Sequence, residues 1–60
     1  MNFLRYDPVS GLILAQGYMD KTNLDAEIGS GAATLRVSGW VDPTRYVVDV
    51  VTKLIRLKSS

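Results

Sequence analysis

The sequence predicts a mainly β protein, a small antiparallel sheet built from two β-hairpins that a polar loop joins. Three observations predict this class: a turn motif that occurs twice, alternating apolar and polar residues at 33–38, and β-branched residues crowded at 46–52. Alternation with a period of two indicates a strand with one buried face, and β-branched side chains favour strands over helices. We therefore expect a single small β domain spanning residues 1–60.

The first hairpin, at 3–18, is predicted from a turn between two apolar stretches. The turn contains Asp7, Pro8 and Gly11. Aspartate accepts hydrogen bonds from backbone N–H groups ahead of it, proline presets φ at a turn position, and glycine supplies a positive φ. This combination is typical of a type I turn closed by a bulge.

The middle of the chain is predicted to be a polar connecting loop at 19–32, with at most one short turn around 23–28. Residues 19–32 show neither a period of two nor one of 3.6. A strand is predicted at 33–38, because Leu35 and Val37 alternate with polar neighbours there.

The last third of the sequence is compatible with two structures. Asp42 and Pro43 could begin a helix at 43–57, which would give an α+β fold. The favoured alternative is a hairpin at 45–57, because the pattern from Asp7 to Ile13 recurs from residue 49 to residue 55. Both copies read Asp, any residue, Val, a hydroxyl residue, a turn-closing residue, Leu and Ile.

The second copy predicts a second turn, formed by Asp49 and Thr52, in addition to the turn expected at Asp42 and Pro43. Lys53 stands where the first copy has Gly11. A side chain is disfavoured in the left-handed region, so this position departs from the motif.

Taken together, these motifs resemble the short tail-fibre, baseplate and other virion structural proteins of tailed bacteriophages. The resemblance implies a non-enzymatic structural component of a phage particle, made in the host cytoplasm and located in the virion. A capsid decoration (cement) protein is the alternative within this class. The segments that carry the resemblance are Tyr6–Ile13, Gly29–Gly39, Asp42–Val48 and Asp49–Leu57.

Composition argues against most chemical functions. The chain has no histidine and no cysteine, and its net charge is +1. It therefore lacks the commonest general base and metal ligand, and its charge is low for a nucleic-acid binder. We predict no enzyme activity, catalytic residue, cofactor, metal, small-molecule substrate or membrane span. A small cytosolic regulator or inhibitor that binds a host protein remains an alternative from another class.

The hydrophobic content predicts assembly. Of the 60 residues, 47% are hydrophobic, and a domain of about this size buries only about 60% of its unfolded surface. Without disulfides or metals, such domains are commonly stabilised by partners. We expect a homo-oligomer, contact with a larger virion protein, or both. The predicted contact residues are Leu12, Leu14, Tyr18, Trp40, Tyr46, Val48 and Val50.

Charge is divided unevenly between the two halves of the chain. Residues 1–34 carry a net charge of −2 and residues 35–60 carry +3. Alternating charges on the exposed face of the last hairpin explain this division and also discourage edge-to-edge aggregation. Head-to-tail complementarity between subunits is the alternative explanation.

Overall fold

The computed structural model describes residues 1–58, in which five strands and one helix occur. Strands predominate over helix in this range, which confirms the mainly β class, and the predicted strand 33–38 corresponds to β3. The elements are β1 (Asn2–Tyr6), β2 (Ile13–Tyr18), α1 (Lys21–Gly29), β3 (Thr34–Val37), β4 (Tyr46–Asp49) and β5 (Leu54–Leu57).

The first hairpin consists of β1 and β2, and its turn follows the predicted chemistry. The Asp7 carboxylate accepts hydrogen bonds from the backbone N–H groups of Val9 (2.8 Å) and Ser10 (3.2 Å). The N–H of Gly11 donates to the Asp7 carbonyl at 2.8 Å, and Gly11 has a φ of 80°. Aspartate and glycine therefore act in this turn as the sequence predicts.

The second hairpin, β4 and β5, repeats these three hydrogen bonds of the first turn. The Asp49 carboxylate accepts from Val51 N–H (2.9 Å) and Thr52 N–H (3.1 Å), and Lys53 N–H donates to the Asp49 carbonyl at 2.7 Å. Lys53 adopts a φ of 63°. The alternative helix at 43–57 is therefore wrong, because this segment forms two strands joined by a turn at 50–53, and the β-branched Val47 and Val48 lie in β4.

Lys53→Gly is expected to stabilise the fold, because Lys53 keeps a side chain in the left-handed region. Removing that strain should raise the free energy of unfolding by about 1 kcal/mol, measured by urea denaturation. Lys53→Ala is the matched control, since it removes the charge but keeps the Cβ. If alanine stabilises as much as glycine, the strain is not the cause.

The hairpins form two sheets rather than one continuous sheet. β3 pairs antiparallel with the free side of β1, which gives the strand order β2-β1-β3, and β4 and β5 form a separate two-stranded sheet. Because β3 occupies the edge of β1, the second hairpin cannot extend the sheet there. It packs against the face of the first sheet instead.

The helix α1 corrects the prediction of a loop at 19–32. Asp20 is its N-cap and accepts from Thr22 N–H at 3.1 Å. Leu24 is fully buried, whereas most of the other helical side chains are exposed or half-buried. A single buried apolar residue produces no amphipathic period, so the sequence pattern did not indicate a helix.

Contacts with the three-stranded sheet hold α1 in place. The Arg5 guanidinium donates to the Glu27 carboxylate at 3.2 and 2.8 Å, and the Thr34 hydroxyl donates to the same carboxylate at 2.7 Å. These bonds join α1 to β1 and β3. The helix therefore lies on the sheet face that carries Arg5.

The main core lies on the opposite face of that sheet, between the two sheets. Its buried side chains are Leu4, Tyr6 and Val48. Val48 is 2% exposed, so the prediction that it contacts a partner is wrong. The N–H of Val48 donates to the Gly11 carbonyl at 2.9 Å, which holds β4 against the first turn, and the Val48 side chain packs with Leu4 and Tyr6.

Candidate protein-binding surface

A groove of about 530 Å³ runs along β2, between this strand and the loop that leads to β4. We call it the β2 groove. Apolar and aromatic side chains are prominent in its lining. The principal lining residues are Leu14, Gln16, Tyr18, Gly39, Trp40 and Pro43.

Gln16 fixes the loop wall of the β2 groove. Its side-chain amide donates to the Val41 carbonyl at 2.5 Å and accepts from the Val41 N–H at 2.7 Å. This pair of bonds imitates the pairing of a neighbouring strand. Gln16 thereby places Trp40, the residue before Val41, beside β2.

Three large side chains around the β2 groove are mostly exposed to solvent. Trp40 is 74% exposed, Tyr18 is 76% exposed and Leu14 is 66% exposed. Clustered apolar side chains on a surface mark interaction sites more often than scattered ones do. The groove is therefore the strongest candidate for binding another protein chain.

The outer edge of β2 offers unpaired backbone groups. Met1 and Met19 exchange two backbone hydrogen bonds, at 2.7 and 3.0 Å, in line with the β1–β2 ladder. Since hydrogen-bonded and non-hydrogen-bonded pairs alternate in an antiparallel ladder, Gln16 and Tyr18 direct their N–H and C=O groups away from β1. In residues 1–58 no other strand pairs with β2.

The other sheet edges carry charges that β2 lacks. β3 contains Arg36, which is paired with Asp25, and β5 contains Arg56, whose Nε lies 3.8 Å from an Asp49 oxygen. Residues 13–18 contain no charged residue and no proline. Charged residues and prolines are the usual protection against edge pairing, so β2 is the least protected edge in the described part of the chain.

The structure brings together only some of the predicted contact residues. Leu14, Tyr18 and Trp40 line the β2 groove, and Leu12 lies just before β2, 47% exposed. Tyr46 and Val50 are half-buried, and Val50 packs against the main core. The candidate surface therefore combines the first hairpin with Trp40, and the predicted contact residues of the second hairpin do not line it.

Sequence reasoning missed Gln16 and Gly17, both central to this surface. Gln16 is the one polar side chain between Leu12 and Tyr18, which was the available signal. Gly17 lies opposite Phe3, and a Cβ added to it would lie 3.1 Å from the Phe3 ring. The absence of a side chain there accommodates that ring.

The predicted turn residues act in turns. Pro8 and Pro43 are the first residues of the turns that follow Asp7 and Asp42. The Asp42 carboxylate accepts from the N–H (2.9 Å) and hydroxyl (2.7 Å) of Thr44. Pro43 also borders the β2 groove, so the Asp42 turn helps to shape this surface.

Hydrogen bonds lower the pKa of several carboxyls below the ordinary value. For Asp7 the donors are the N–H groups of Val9 and Ser10. For Asp49 the principal donors are the N–H groups of Thr52 and Val51. Thr44 lowers the pKa of Asp42, mainly through its hydroxyl and then its N–H. All these bonds favour the ionised form.

Acid is therefore expected to destabilise the fold. A carboxyl with a lowered folded pKa contributes stability above its unfolded pKa, about 3.9 for aspartate, and loses it as the pH falls through the folded value. The urea midpoint should be steady between about pH 5 and 7 and should fall below about pH 4.

A chain carrying both Asp7→Asn and Asp49→Asn is the control for this prediction. Asparagine keeps an oxygen that can accept the turn N–H bonds but does not titrate. Its urea midpoint should fall less steeply with acid than that of the unaltered chain. An equally steep fall would show that these two turns do not carry the pH dependence.

Residues 1–58 contain neither a helix suited to crossing a membrane nor a cluster of side chains suited to holding a metal ion. No helix in this range has the length and apolar character needed to cross a membrane. No group of three or more acidic side chains in it is arranged to hold a metal ion.

Comparison of the chain with known protein families, with curated proteins and with solved structures finds no match.

Proposed function

We propose that this chain is a structural component of a tailed-bacteriophage particle, associated with the tail, baseplate or fibre, and that it acts by binding protein rather than by catalysis. One observation carries the protein-binding part: exposed Leu14, Tyr18 and Trp40 surround an uncharged strand edge. The phage assignment is supported by the resemblance of the turn motifs at 6–13 and 42–57 to virion proteins.

The physical basis of binding is burial of apolar surface together with strand pairing. Trp40 and Tyr18 are large side chains, and aromatic residues of this kind commonly dominate binding energy when a partner covers them. The outward N–H and C=O groups of β2 add a directional element, because an extended segment can bond to them. No chemical step is needed for this role.

Mass spectrometry of purified particles, separated into tail and capsid fractions, tests the location. We expect peptides of this chain in the tail fraction. Peptides confined to the capsid fraction would contradict a tail position and favour a decoration protein. If no peptide of this chain is detected in particles, any virion role is contradicted, and a regulator or inhibitor of a host protein is favoured.

The single tryptophan gives a direct test of the binding surface. Trp40 is 74% exposed, so the dilute chain should show the fluorescence emission of a solvated tryptophan. Adding purified tails, or concentrating the chain, should shift the emission to shorter wavelength. Burial of the indole on assembly is the physical reason.

Two matched substitutions test whether the shift in tryptophan emission arises from binding at the β2 groove. Leu14→Ala should weaken it, because Leu14 lines the groove. Val51→Ala should leave it unchanged, because Val51 is 86% exposed in the turn between β4 and β5 and does not line the groove. Equal effects of the two substitutions would contradict the proposed surface.

A further inference from the structure

The outer edge of β2 is self-complementary. Its outward-facing backbone groups belong to Gln16 and Tyr18, which are separated by Gly17. In an antiparallel pair, residues that face each other across a hydrogen-bonded position exchange two bonds. Two copies related by a two-fold axis at Gly17 would pair Gln16 of each copy with Tyr18 of the other and form four such bonds.

We infer that the partner of the β2 edge is a second copy of this chain, paired antiparallel through β2 about an axis at Gly17. The result is a continuous six-stranded sheet across two subunits. This inference rests on the protein-binding role proposed above and specifies its first partner. A two-fold arrangement uses the same surface on both subunits and closes after two copies.

The glycine at the axis fits this arrangement. Gly17 of each copy would face Gly17 of the other at a non-hydrogen-bonded position, where Cα atoms approach to about 4.5 Å. Neither residue has a side chain to crowd the approach. An axis at Gln16 would instead require Leu14 to pair regularly with Tyr18. Leu14 lies in a bulge of β2, because Tyr6 pairs with Ile13 and Arg5 pairs with Ala15. The bulge therefore disfavours this second register.

Charge favours a second copy at this edge. Two paired copies of β3 would bring their arginines at position 36 near one another, and two paired copies of β5 would do the same at Arg56, because each of these four-residue strands has an arginine as its only charged residue. Residues 13–18 carry no charge, so two β2 strands meet without repulsion.

The same register covers the exposed aromatic residues. Side chains that face each other across an antiparallel pair lie on the same side of the sheet. Tyr18 of the partner subunit would therefore lie beside Gln16, whose amide holds the loop that carries Trp40. The partner's Tyr18 would enter the β2 groove on the side of the Trp40 loop, and the reciprocal contact would form at the symmetric site.

Disulfide trapping in chains that carry one cysteine each tests the register, since the natural sequence has none. Gly17→Cys should cross-link to itself under mild oxidation, because the two Cα atoms are within disulfide range. Ala15→Cys should not cross-link to itself, because two copies of residue 15 are displaced by four residues. Mixed with Met19→Cys, it should form a disulfide, because residues 15 and 19 face each other in this register.

The mixed pair also guards against a folding failure of Gly17→Cys, whose Cβ would press on the Phe3 ring. Ala15 is exposed and has no such conflict. Circular dichroism of each chain checks that it is folded. Self-linking of Ala15→Cys as fast as the mixed reaction would overturn the register.

Sedimentation equilibrium of the unaltered chain completes the test. We expect a species of twice the 6.6 kDa monomer mass as the concentration is raised. A monomer at every concentration would overturn the inference, as would cross-linking of Ala15→Cys only to a different virion protein. In both cases, detection of the chain in the tail fraction would still support the proposed function. A dimer absent from particles would refute the phage role but not the pairing.

Discussion

Gly11→Ala is expected to destabilise this protein strongly. Gly11 has a φ of 80°, and a Cβ added to it would lie 2.0 Å from the carbonyl oxygen of Val48. The left-handed conformation alone costs about 1–2 kcal/mol for a residue with a side chain. The clash must also move β4 away from the turn and weaken the hydrogen bond from the Val48 N–H to the Gly11 carbonyl. We therefore expect the free energy of unfolding to fall by about 3 kcal/mol or more in total.

Such a loss is large beside the roughly 3–9 kcal/mol expected for a chain of this length. Urea unfolding at neutral pH measures it. Gly31→Ala is the matched control: Gly31 has a φ of 90°, but within residues 1–58 nothing beyond its chain neighbours comes within 4 Å of an added Cβ. This control should lose only about 1–2 kcal/mol. Equal losses at the two positions would show that the contact with Val48 contributes nothing.

Leu4→Ala is expected to have the second largest effect. Leu4 is fully buried between the two sheets and packs with Tyr6 and Val48. Truncating a buried leucine removes apolar contacts and leaves a cavity, which typically costs about 2–5 kcal/mol. Thermal and urea unfolding, followed by far-ultraviolet circular dichroism, would record the loss.

Leu14→Ala provides the comparison for Leu4→Ala. Leu14 is 66% exposed on the same hairpin, so its truncation should change the stability of the dilute chain by no more than about 0.5 kcal/mol. If Leu14→Ala destabilised the dilute chain as much as Leu4→Ala, the two-sheet core would not be the main source of stability.

The turn chemistry was predictable because its causes are local. Asp7 and Asp49 bond to backbone groups two and three residues ahead, and the closing residues Gly11 and Lys53 bond to the same aspartates. A sequence motif contains all the atoms that make such a turn. For this reason the repeat also identified the second hairpin despite the lysine, whose left-handed backbone is strained but possible.

The helix α1 was not predictable from its own residues. Asp20 supplies a local cap and Lys21 pairs with Asp25 one turn away, but the arginine that anchors the helix is distant in sequence: Arg5 reaches Glu27 across 22 residues. Neither a period nor a charge pattern in 19–32 marks these partners. The two partners of Glu27, Arg5 and Thr34, lie on β1 and β3, which strand pairing brings together.

The candidate surface was predictable in part. Its aromatic members, Tyr18 and Trp40, could be selected by residue type because large aromatic side chains are common in contacts. Residue type could not show which of the predicted apolar residues are exposed. Trp40 is exposed, whereas Val48 is buried against the first turn. Exposure is decided by which strands pack together.

The sequence by itself determined the strands, the Asp-based turns and the absence of cysteine and histidine. Only the tertiary structure decided that β3 pairs with β1, that Gln16 holds the Trp40 loop and that β2 is left as an uncharged edge. The physical reason is range. Turns and alternating strands arise from interactions over a few residues, whereas strand order and exposure result from contacts between residues 25 or more positions apart, such as Gln16 with Val41.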